Sequence, residues 1–470
     1  MKYIGLTIGP IYKTLQNAKK TRELWGGSYI FSYIMKQIIF EFRERNFIVP
    51  FVKDAKVFEE HLEVGLFHDR FIFESKEGDI NRLEKIIAEV LHNLASHMKI
   101  DETFLTNYFQ INYVEQELTH ENPILEISKY LDAKELFYKV SQYHENLLQT
   151  KLKNDNSFLI KDAFGSKRKN FPSLPEIALH DMMHEKLKEK INSHDDELSI
   201  YADKTFDFKN YHKYIAIVQA DGDNMTDVIK SLKTSEEFNQ FSKKLFNHCL
   251  IAHKLIKEFG GQTIFAGGDD LLFFAPVVNH DKTIFNLCDN ITKEFNSLFE
   301  GKKTTLSFGI NITYHKYPLY EALENTRNLL FEKAKNTQKD NIAFSITKHS
   351  GQTFESVLHK GNKTVYESFL TLSSKIKTAE GIDNFLHSLH HKINTHKTTF
   401  HHIANDKEKL DNFFDNYFNE DEHKQYKDFF ASLASFIFAV YQDSKIIEDD
   451  KFKLIYATLR FVKFIKGDKE

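Results

Sequence analysis

The stretch GQTIFAGGDDLLFFAPV, residues 261–277, decides the fold. It places Gly267-Gly268-Asp269-Asp270 between two apolar segments, which predicts a tight β-hairpin with two carboxylates at its tip. A second strand-like run, YIAIVQA at 214–220, ends in Asp221-Gly222-Asp223. If these strands are neighbours, four carboxylates gather at one point, and they cannot all stay ionised without a cation. Oxygen ligands in this number suit Mg²⁺ or Mn²⁺, so the pattern predicts a two-ion site for nucleotidyl transfer.

The segments around the hairpin predict a ferredoxin-like core. Thr234 and Glu237 form a capping box at the start of a helix over 235–258, and Gly260-Gly261 ends that helix. Further elements are expected as a helix at 281–299, a strand at 304–314, a helix from Pro318 to Lys335 and a strand at 341–346. The order βαββαβ, with one extra helix and strand, is the split-βαβ arrangement found in the palm of polymerases and nucleotide cyclases.

The first half of the chain repeats this order more faintly. Strands are expected at 2–8, 47–52 and 69–75, and helices at 11–24, 28–45 and 79–112. Gly26-Gly27-Ser28 is expected to form a compact turn between the first two helices. The turn before the third strand carries Phe67-His68-Asp69-Arg70 instead of two glycines and two aspartates, so we interpret this half as a second palm without metal ligands. The alternative is that the repeat is coincidental.

The predicted fold class is therefore α+β, with two ferredoxin-like palm domains, an intervening helical region and a C-terminal helical bundle. No strand is expected after about residue 350, where the pattern becomes helical and rich in Phe, Tyr and Leu. The predicted domains are the degenerate first palm at 1–124, a helical intervening domain at 125–205, the second palm at 206–350 and the helical bundle at 351–470.

The composition excludes several classes of protein. The 470 residues carry a formal net charge of −4, which does not fit a general polyanion binder. No stretch is long and apolar enough to span a membrane, and the N-terminus lacks the features of a signal peptide. The two cysteines, Cys249 and Cys288, cannot form a disulfide framework or a Cys-rich zinc site. We therefore expect a cytoplasmic protein without zinc and without a membrane partner.

The candidate site residues follow from these elements. Asp221, Asp223, Asp269 and Asp270 are the predicted metal ligands; the first, third and fourth are also the predicted catalytic residues, and Asp270 is either a ligand or a proton acceptor. Gly267 and Gly268 would let a base or ribose approach the backbone. Ser307, Gly309 and Lys335 are expected near the same nucleotide, with Lys335 meeting phosphate. An ordinary strand serine and a solvated helix-end lysine are the alternatives for Ser307 and Lys335.

A basic N-terminal helix is the second candidate surface. Lys13, Lys19, Lys20 and Arg22 lie close to Trp25 in the sequence, and basic residues beside an aromatic ring are typical of contacts with RNA or a triphosphate. Arg22, Gly27 and Ser28 are therefore candidate first-palm contacts to nucleotide or RNA. The alternative is an ordinary solvated helix face.

The motifs taken together resemble a known family, the large subunit of type III CRISPR RNA-guided effector complexes of the Cmr type. The resemblance covers about residues 1–350, and its motifs are GPIYKTLQNAKKTRELWGGSYIFSYI (9–34), HDRF (68–71), FPSLPEIA (171–178), QADGDNM (219–225), AGGDD (266–270), SFGINI (307–312) and the segment from LLFEKAK to IAFSI (329–346). Within these motifs, Gly222 and Asn224 join the candidate nucleotide contacts.

The resemblance implies an RNA-activated ATP nucleotidyltransferase. In this family two palms face each other and bind ATP, and AMP units are joined with pyrophosphate release, usually into cyclic oligoadenylate second messengers for antiviral defence. The implied partners are guide CRISPR RNA, target RNA, a repeat-type subunit and small helical subunits. The acceptor need not be ATP, because chemistry at the α-phosphate leaves the nucleophile open.

Two departures from the family pattern stand out. The sequence starts at the first palm and shows no His-Asp nuclease domain, so the resemblance does not predict DNA cleavage by this subunit. The family's zinc-binding Cys cluster between the palms has no counterpart. An inactive scaffold subunit of the same complex and a stand-alone nucleotide cyclase remain the alternative functions.

Overall fold

The first palm is a four-stranded antiparallel sheet covered by helices. The computed structural model describes residues 1–54, 58, 61–119, 121–137, 147–182, 208–336, 338–374, 382–417 and 426–466. The N-terminal elements are β1 (Lys2–Gly9), α1 (Ile11–Gln16), α2 (Thr21–Glu41), β2 (Phe47–Val49), β3 (Arg70–Glu74), α3 (Asp79–Met98), α4 (Glu102–Tyr108) and β4 (Gln110–Glu117). The strand order β2-β3-β1-β4 is the order of a ferredoxin-like sheet, which confirms the predicted repeat.

Short helices connect the two palms. They are α5 (Pro123–Glu135), α6 (Leu147–Asn154), α7 (Ser157–Phe164) and α8 (Leu174–Ala178). Helix α8 starts with a capping box in which Glu176 Oε2 accepts hydrogen bonds from the backbone N–H and the hydroxyl of Ser173. The predicted domain boundary between residues 205 and 206 lies outside the described residues.

The second palm is built on a six-stranded sheet. Its elements are β5 (Tyr214–Asp223), α9 (Met225–Ser231), α10 (Ser235–Glu258), β6 (Gln262–Gly267), β7 (Asp270–Pro276), β8 (Val278–Asn279), β9 (Lys282–Thr283), α11 (Ile284–Leu298), β10 (Thr305–Tyr314), α12 (Leu319–Asn328), a π-helical turn (Leu329–Ala334), β11 (Asn341–Thr347) and β12 (Thr353–His359). The strand order is β12-β11-β10-β5-β7-β6. The α+β class, the hairpin and the capping box at Thr234 are confirmed.

The remaining described residues form helices. They are α13 (Lys363–Ser374), α14 (Ile382–Thr395), α15 (Lys397–Ile403), α16 (Lys407–Tyr417), α17 (Lys427–Gln442) and α18 (Glu448–Lys466). Phe285 of the second palm makes edge-on ring contacts with Phe369 and Phe461, at centroid distances of 4.8 and 5.0 Å. The bundle is thus joined to the palm by apolar packing, not by a loose tether. Within the part of the chain described here, no helix is long and apolar enough to cross a membrane.

The prediction of a turn at Gly26-Gly27-Ser28 was wrong, because α2 runs through these residues without interruption. The glycines serve helix packing instead. A Cβ atom on Gly26 would lie 3.2 Å from Leu152 Cδ2, and one on Gly27 would lie 3.2 Å from Thr14 Cγ2. The small residues therefore allow α1 and α6 to approach α2 closely, which a glycine-rich sequence does not distinguish from a turn.

Two edge strands were also missed. Strand β4 (Gln110–Glu117) begins inside the region predicted as helical up to residue 112 and continues where no element was predicted, and β12 lies after residue 350, where no strand was expected. Both occupy an outer position in their sheets, and most of their residues are only partly buried or exposed. An edge strand with weak apolar alternation leaves little signal in the sequence. The sheet of the second palm therefore extends to His359, past the predicted boundary at 350.

Candidate active site

Strand β5 carries the first acidic turn at the centre of the second sheet. It lies between β10 and β7, and its core residues Ile215, Ile217 and Val218 are completely buried. Pairing with β7 ends at Ala220, so the chain beyond this residue runs past the hairpin tip. Asp221 stands opposite Ser307 of β10 in the antiparallel register. The acidic turn is therefore fixed in position by a buried strand that is paired on both sides.

The second acidic turn lies against the first. An ideal Cβ atom on Gly222 would stand 2.5 Å from Oδ2 of Asp269. Burial raises the pKa of Asp269 to about 6, although its own backbone N–H and that of Gly222 oppose the rise; the negative charge of Asp223 adds to it. The structure thus brings together the two acidic turns that the sequence predicts as neighbours.

Asp223 is completely buried and is held by three donors. Its Oδ2 accepts hydrogen bonds from Thr305 Oγ1 at 2.7 Å, Ser307 Oγ at 2.8 Å and the backbone N–H of Asp340 at 3.0 Å. Its Oδ1 has no hydrogen-bond partner although it is buried. One oxygen thus fixes the side chain, and the other carries charge that no hydrogen bond satisfies.

Lys335 supplies the positive charge nearest to the first turn. Its Nζ donates a hydrogen bond to the Gly222 carbonyl oxygen at 2.9 Å, forms an ion pair with Asp221 and lies 3.7 Å from Asp223 Oδ1. Burial, with a smaller contribution from the nearby Lys339, lowers the pKa of this ammonium to about 8. The lysine predicted to meet phosphate is therefore in contact with the candidate metal ligands.

Asp270 faces the first palm. Burial raises its pKa well above the ordinary value, and the charges of Asp269 and of Asp69 in the first palm add to the rise. A Cβ atom on Gly267 would lie 3.0 Å from Cβ of His68. The HDRF turn therefore lies against the hairpin tip, so the first palm closes one side of the site.

Gly268 is the residue of the tip that requires glycine for its backbone conformation. Its φ is +67°, a region that disfavours side chains, and an added Cβ would meet nothing within 4 Å. The Sγ atom of Cys249 donates to the Gly268 carbonyl oxygen at 3.3 Å. The hairpin tip is thus bound to Cys249 through the Gly268 carbonyl, and the space where a Gly268 side chain would lie is open.

The acidic side chains can be compared with the ligands that the predicted divalent cation needs. Among the described residues, no group of three or more His, Cys, Asp or Glu side chains is arranged as a finished metal site. The donors nevertheless fit a hard divalent cation, because all are carboxylate oxygens. Burial, together with neighbouring carboxylates, raises the pKa of Asp269 and of Asp270, and the buried Oδ1 of Asp223 has no hydrogen-bond partner, so a bound cation would favour the ionised form of these side chains.

Three other predicted contacts belong elsewhere, and these predictions were wrong. Gly309 is packed against the protein, since a Cβ there would lie 2.5 Å from the Thr326 carbonyl oxygen, so it is unavailable to a nucleotide. Gly27 and Ser28 are buried inside α2. Trp25, expected beside the basic face, is completely buried and stacks on Phe171.

Arg22 and Asn224, two predicted nucleotide contacts, lie in different parts of the structure. Arg22 lies in the first turn of α2 and lines a separate cavity. Asn224 follows the acidic turn with φ of 59°, and its Oδ1 accepts a hydrogen bond from Lys339 Nζ at 2.8 Å. Asn224 is therefore beside the acidic turn but has a lysine as its partner.

The sequence interpretation missed three residues that hold the site. Thr305 lies two positions before Ser307 and therefore on the same face of β10, a signal that strand alternation provides. Asp340, at a positive φ of 68°, and Lys360, which donates to Asp340 Oδ1 at 2.6 Å, support Asp223 from behind. No local pattern marks these two, because their contact depends on the fold.

Comparison with known proteins identifies the family. The model of the Cas10/Cmr2 second palm domain matches residues 214–343, and that of the N-terminal part of the CRISPR-associated protein Cmr2 matches residues 3–116; together they cover more than half of the chain. The CRISPR system Cmr subunit Cmr2 of Pyrococcus furiosus is 34% identical over 179 residues, which are 32% of this chain. The matched region spans only 20% of that relative's length.

Solved structures share the fold at low sequence identity. A type III-B Cmr-beta structure bound to cognate target RNA contains a chain that is 11% identical, with a TM-score of 0.60 over 99% of this chain and 83% of the other. A chain of the Csm1–Csm4 cassette in complex with cA4 is 13% identical, with a TM-score of 0.56 over 99% of this chain and 69% of the other. The two family models show that the chain belongs to the Cas10/Cmr2 family, as a large subunit of the Cmr type, and the solved structures share its fold.

Proposed function

We propose that this chain is an RNA-activated ATP nucleotidyltransferase subunit of a type III CRISPR ribonucleoprotein. It joins AMP units with release of pyrophosphate, and the product is a cyclic oligoadenylate or a related AMP-containing second messenger. The observation that carries the proposal is the contact between Asp269 and Gly222, which gathers four aspartates at the end of one sheet. The related Csm1–Csm4 structures were solved with ATP, pppApA and cA4, which supports a nucleotide as the ligand.

Asp221, Asp223, Asp269 and Asp270 would hold two Mg²⁺ or Mn²⁺ ions, and bound ions would supply charge neutralisation at the triphosphate. Ser307 and Thr305 keep Asp223 in place through its Oδ2. Lys335 is placed to exchange its contact with Asp221 for a contact with phosphate. The open space above Gly268 would admit the ribose or base. Gly222, Asn224 and Gly267 are proposed as further nucleotide contacts.

The proposed partners are guide CRISPR RNA, target RNA, and the repeat-type and small helical subunits of the complex. A Cmr-beta complex solved with cognate target RNA supports the RNA partner. The C-terminal helices α13–α18 are the proposed contact for the small helical subunits.

The test is product analysis of the assembled complex with labelled ATP and Mg²⁺ or Mn²⁺, with and without target RNA. We expect an AMP-containing product by mass spectrometry only when target RNA is present. Asp269→Ala combined with Asp270→Ala should abolish it while guide and target binding persist. A matched control is Asp411→Ala with Asp415→Ala, which removes two exposed carboxylates from α16. Product formation without RNA would favour a stand-alone cyclase, and no product under any condition would favour a scaffold.

A further inference from the structure

A cavity of about 990 Å³ lies between the two palms, away from the acidic turns. Its walls are the start of α2, the segment 166–177 that contains the beginning of α8, and the residues around the start of β6. Gln262 at this end of β6 and Gly267 at the hairpin tip are separated by the length of the strand, about 17 Å at the usual rise per residue. The cavity is therefore distinct from the candidate active site.

The lining of this cavity is strongly basic. It contains six cationic side chains, Lys19, Lys20, Arg22, Lys167, Arg168 and Lys169, and Glu176 as its acidic side chain. Glu176 is engaged in the capping box of α8 through Ser173. The basic groups thus have little compensation within the lining itself.

Most of these cations are available to a ligand. The four lysines are exposed, and none of them has a carboxylate within ion-pair distance among the residues described here. Arg22 Nε is buried without a hydrogen-bond partner. Arg168 has a structural task, because its Nη1 donates to Gln262 Oε1 at 2.7 Å and its guanidinium lies 5.0 Å from the Phe164 ring centre.

A hydrogen bond and aromatic packing connect the two basic walls of the cavity, residues 19–22 and 166–177. Thr21 Oγ1 donates a hydrogen bond to the Pro172 carbonyl oxygen at 2.7 Å, which ties the start of α2 to the opposite wall. Behind this bond, Trp25 stacks on Phe171 with ring centroids 5.3 Å apart and contacts Phe164 at the same distance. The lysines at 19–20 and 167–169 therefore extend from a rigid, buried aromatic base.

We propose that this basic cavity, lined by residues 19–22 and 166–177, binds the phosphate backbone of single-stranded RNA. Cations on two walls match successive phosphates better than one compact anion. Trp25 and Phe171 are buried, so no base can stack on them, and binding is independent of base sequence. This site rests on the proposed function, in which RNA is already a partner, and it assigns to that partner a location and a set of binding groups on a chain of net negative charge.

The test is fluorescence anisotropy of the full chain with a short labelled uridine-rich RNA over a series of NaCl concentrations. Charge reversal on either wall, Lys167→Glu with Lys169→Glu or Lys19→Glu with Lys20→Glu, should weaken binding about tenfold or more. If each pair contacts two phosphates, the slope of log K against log[NaCl] should become shallower by about 1.4. Thermal unfolding shows whether each variant is folded. If a double variant does not fold, Lys169→Gln replaces it in the binding assay.

The control is Lys85→Glu with Lys134→Glu, which makes the same charge change on exposed residues of α3 and α5. It should keep nearly the wild-type affinity and slope. Equal weakening by the control, or unchanged binding by both wall variants, would overturn the proposal. Competition by tripolyphosphate as strong as that by unlabelled RNA would also overturn it in favour of a small-anion site. Asp269→Ala with Asp270→Ala should bind RNA normally, so failure of catalysis and failure of this site are distinguishable.

Discussion

The carboxylate of Asp269 lies against the backbone of Gly222, where a Cβ atom would stand 2.5 Å from Oδ2 and 2.8 Å from Cβ of the aspartate. The absence of a side chain at position 222 therefore allows the acidic end of β5 and the hairpin tip to touch. A single methyl group at this position is the smallest change that separates the two turns.

We expect Gly222→Ala to reduce nucleotidyl transfer about 100-fold, because a displacement of roughly 1 Å in a catalytic group costs about that much in rate. Gly351→Ala is the control. That glycine has φ of +82° in the turn at the far end of β11, with open space around it, so alanine there should lower stability by about 1 kcal/mol without affecting turnover. Full activity in Gly222→Ala would show that the contact with Asp269 is dispensable.

Lys335 and a divalent cation should compete for Asp221. We expect Lys335→Met to tighten Mn²⁺ binding about tenfold, roughly 1.4 kcal/mol, because the ammonium no longer pairs with that carboxylate. ATP turnover should fall at the same time, since the phosphate contact is lost. Calorimetric titration with Mn²⁺ and a turnover assay measure the two effects separately.

Lys333→Met is the matched control for this experiment. Lys333 belongs to the π-helical turn that Lys335 directly follows, and it pairs with Glu355 on β12. Its removal should change neither Mn²⁺ affinity nor turnover. Unaltered Mn²⁺ affinity in Lys335→Met would mean that the lysine does not compete with the cation.

The acidic turns could be predicted because local sequence determines them. One pair of aspartates ends the strongly apolar strand β5, the other lies at the start of β7, and a ferredoxin-like order brings these strand ends together. Glycine was less informative. The same residue type permits a positive φ at Gly268, close helix packing at Gly26 and close helix contact at Gly309, and the sequence does not separate these uses.

The supporting contacts were unpredictable for a different reason. Asp340 is far from Asp223 in sequence, and it reaches Asp223, with Lys360 bound to its own carboxylate, only because β11 and β12 extend the sheet beyond the ferredoxin-like core. Strand β12 is an edge strand with weak alternation, so the element that delivers Lys360 was itself missed. A lysine is rarely buried without a partner, so the ion pair of Lys360 with Asp340 is expected to matter for stability.

We expect Lys360→Met to destabilise the protein by about 1–3 kcal/mol, because the Leu306 carbonyl oxygen and the Asp340 carboxylate both lose their lysine donor. Lys360 is nearly buried, and its Nζ also donates to the Leu306 carbonyl oxygen at 2.7 Å. Adding Asp340→Asn should recover part of the loss, because the remaining charge disappears while the backbone N–H to Asp223 is kept. Chemical denaturation of the two single variants and the double variant measures this. A double variant no more stable than Lys360→Met would contradict the pairing.

His248 is expected to make the free energy of unfolding depend on pH in the acidic range. It is completely buried against Phe295 at a ring distance of 5.0 Å, and neither ring nitrogen has a hydrogen-bond partner. Burial lowers its pKa to about 4, so the folded state keeps it neutral where the unfolded chain, with a pKa near 6.5, binds a proton. Above about pH 6.5 this histidine therefore does not lower the free energy of unfolding. As the pH falls from 6.5 towards 4, the unfolded state binds the proton and the free energy of unfolding decreases.

His248→Leu should flatten this dependence. Between pH 7 and pH 5 the wild-type protein should lose about 2 kcal/mol more unfolding free energy than the variant, because only the wild-type unfolded state gains the extra proton. Denaturant titrations at a series of pH values give the slope directly. His92→Leu changes an exposed histidine on α3 and should retain the wild-type slope. Parallel curves for wild type and His248→Leu would show that this imidazole is protonated equally in both states, and burial would then not control its charge.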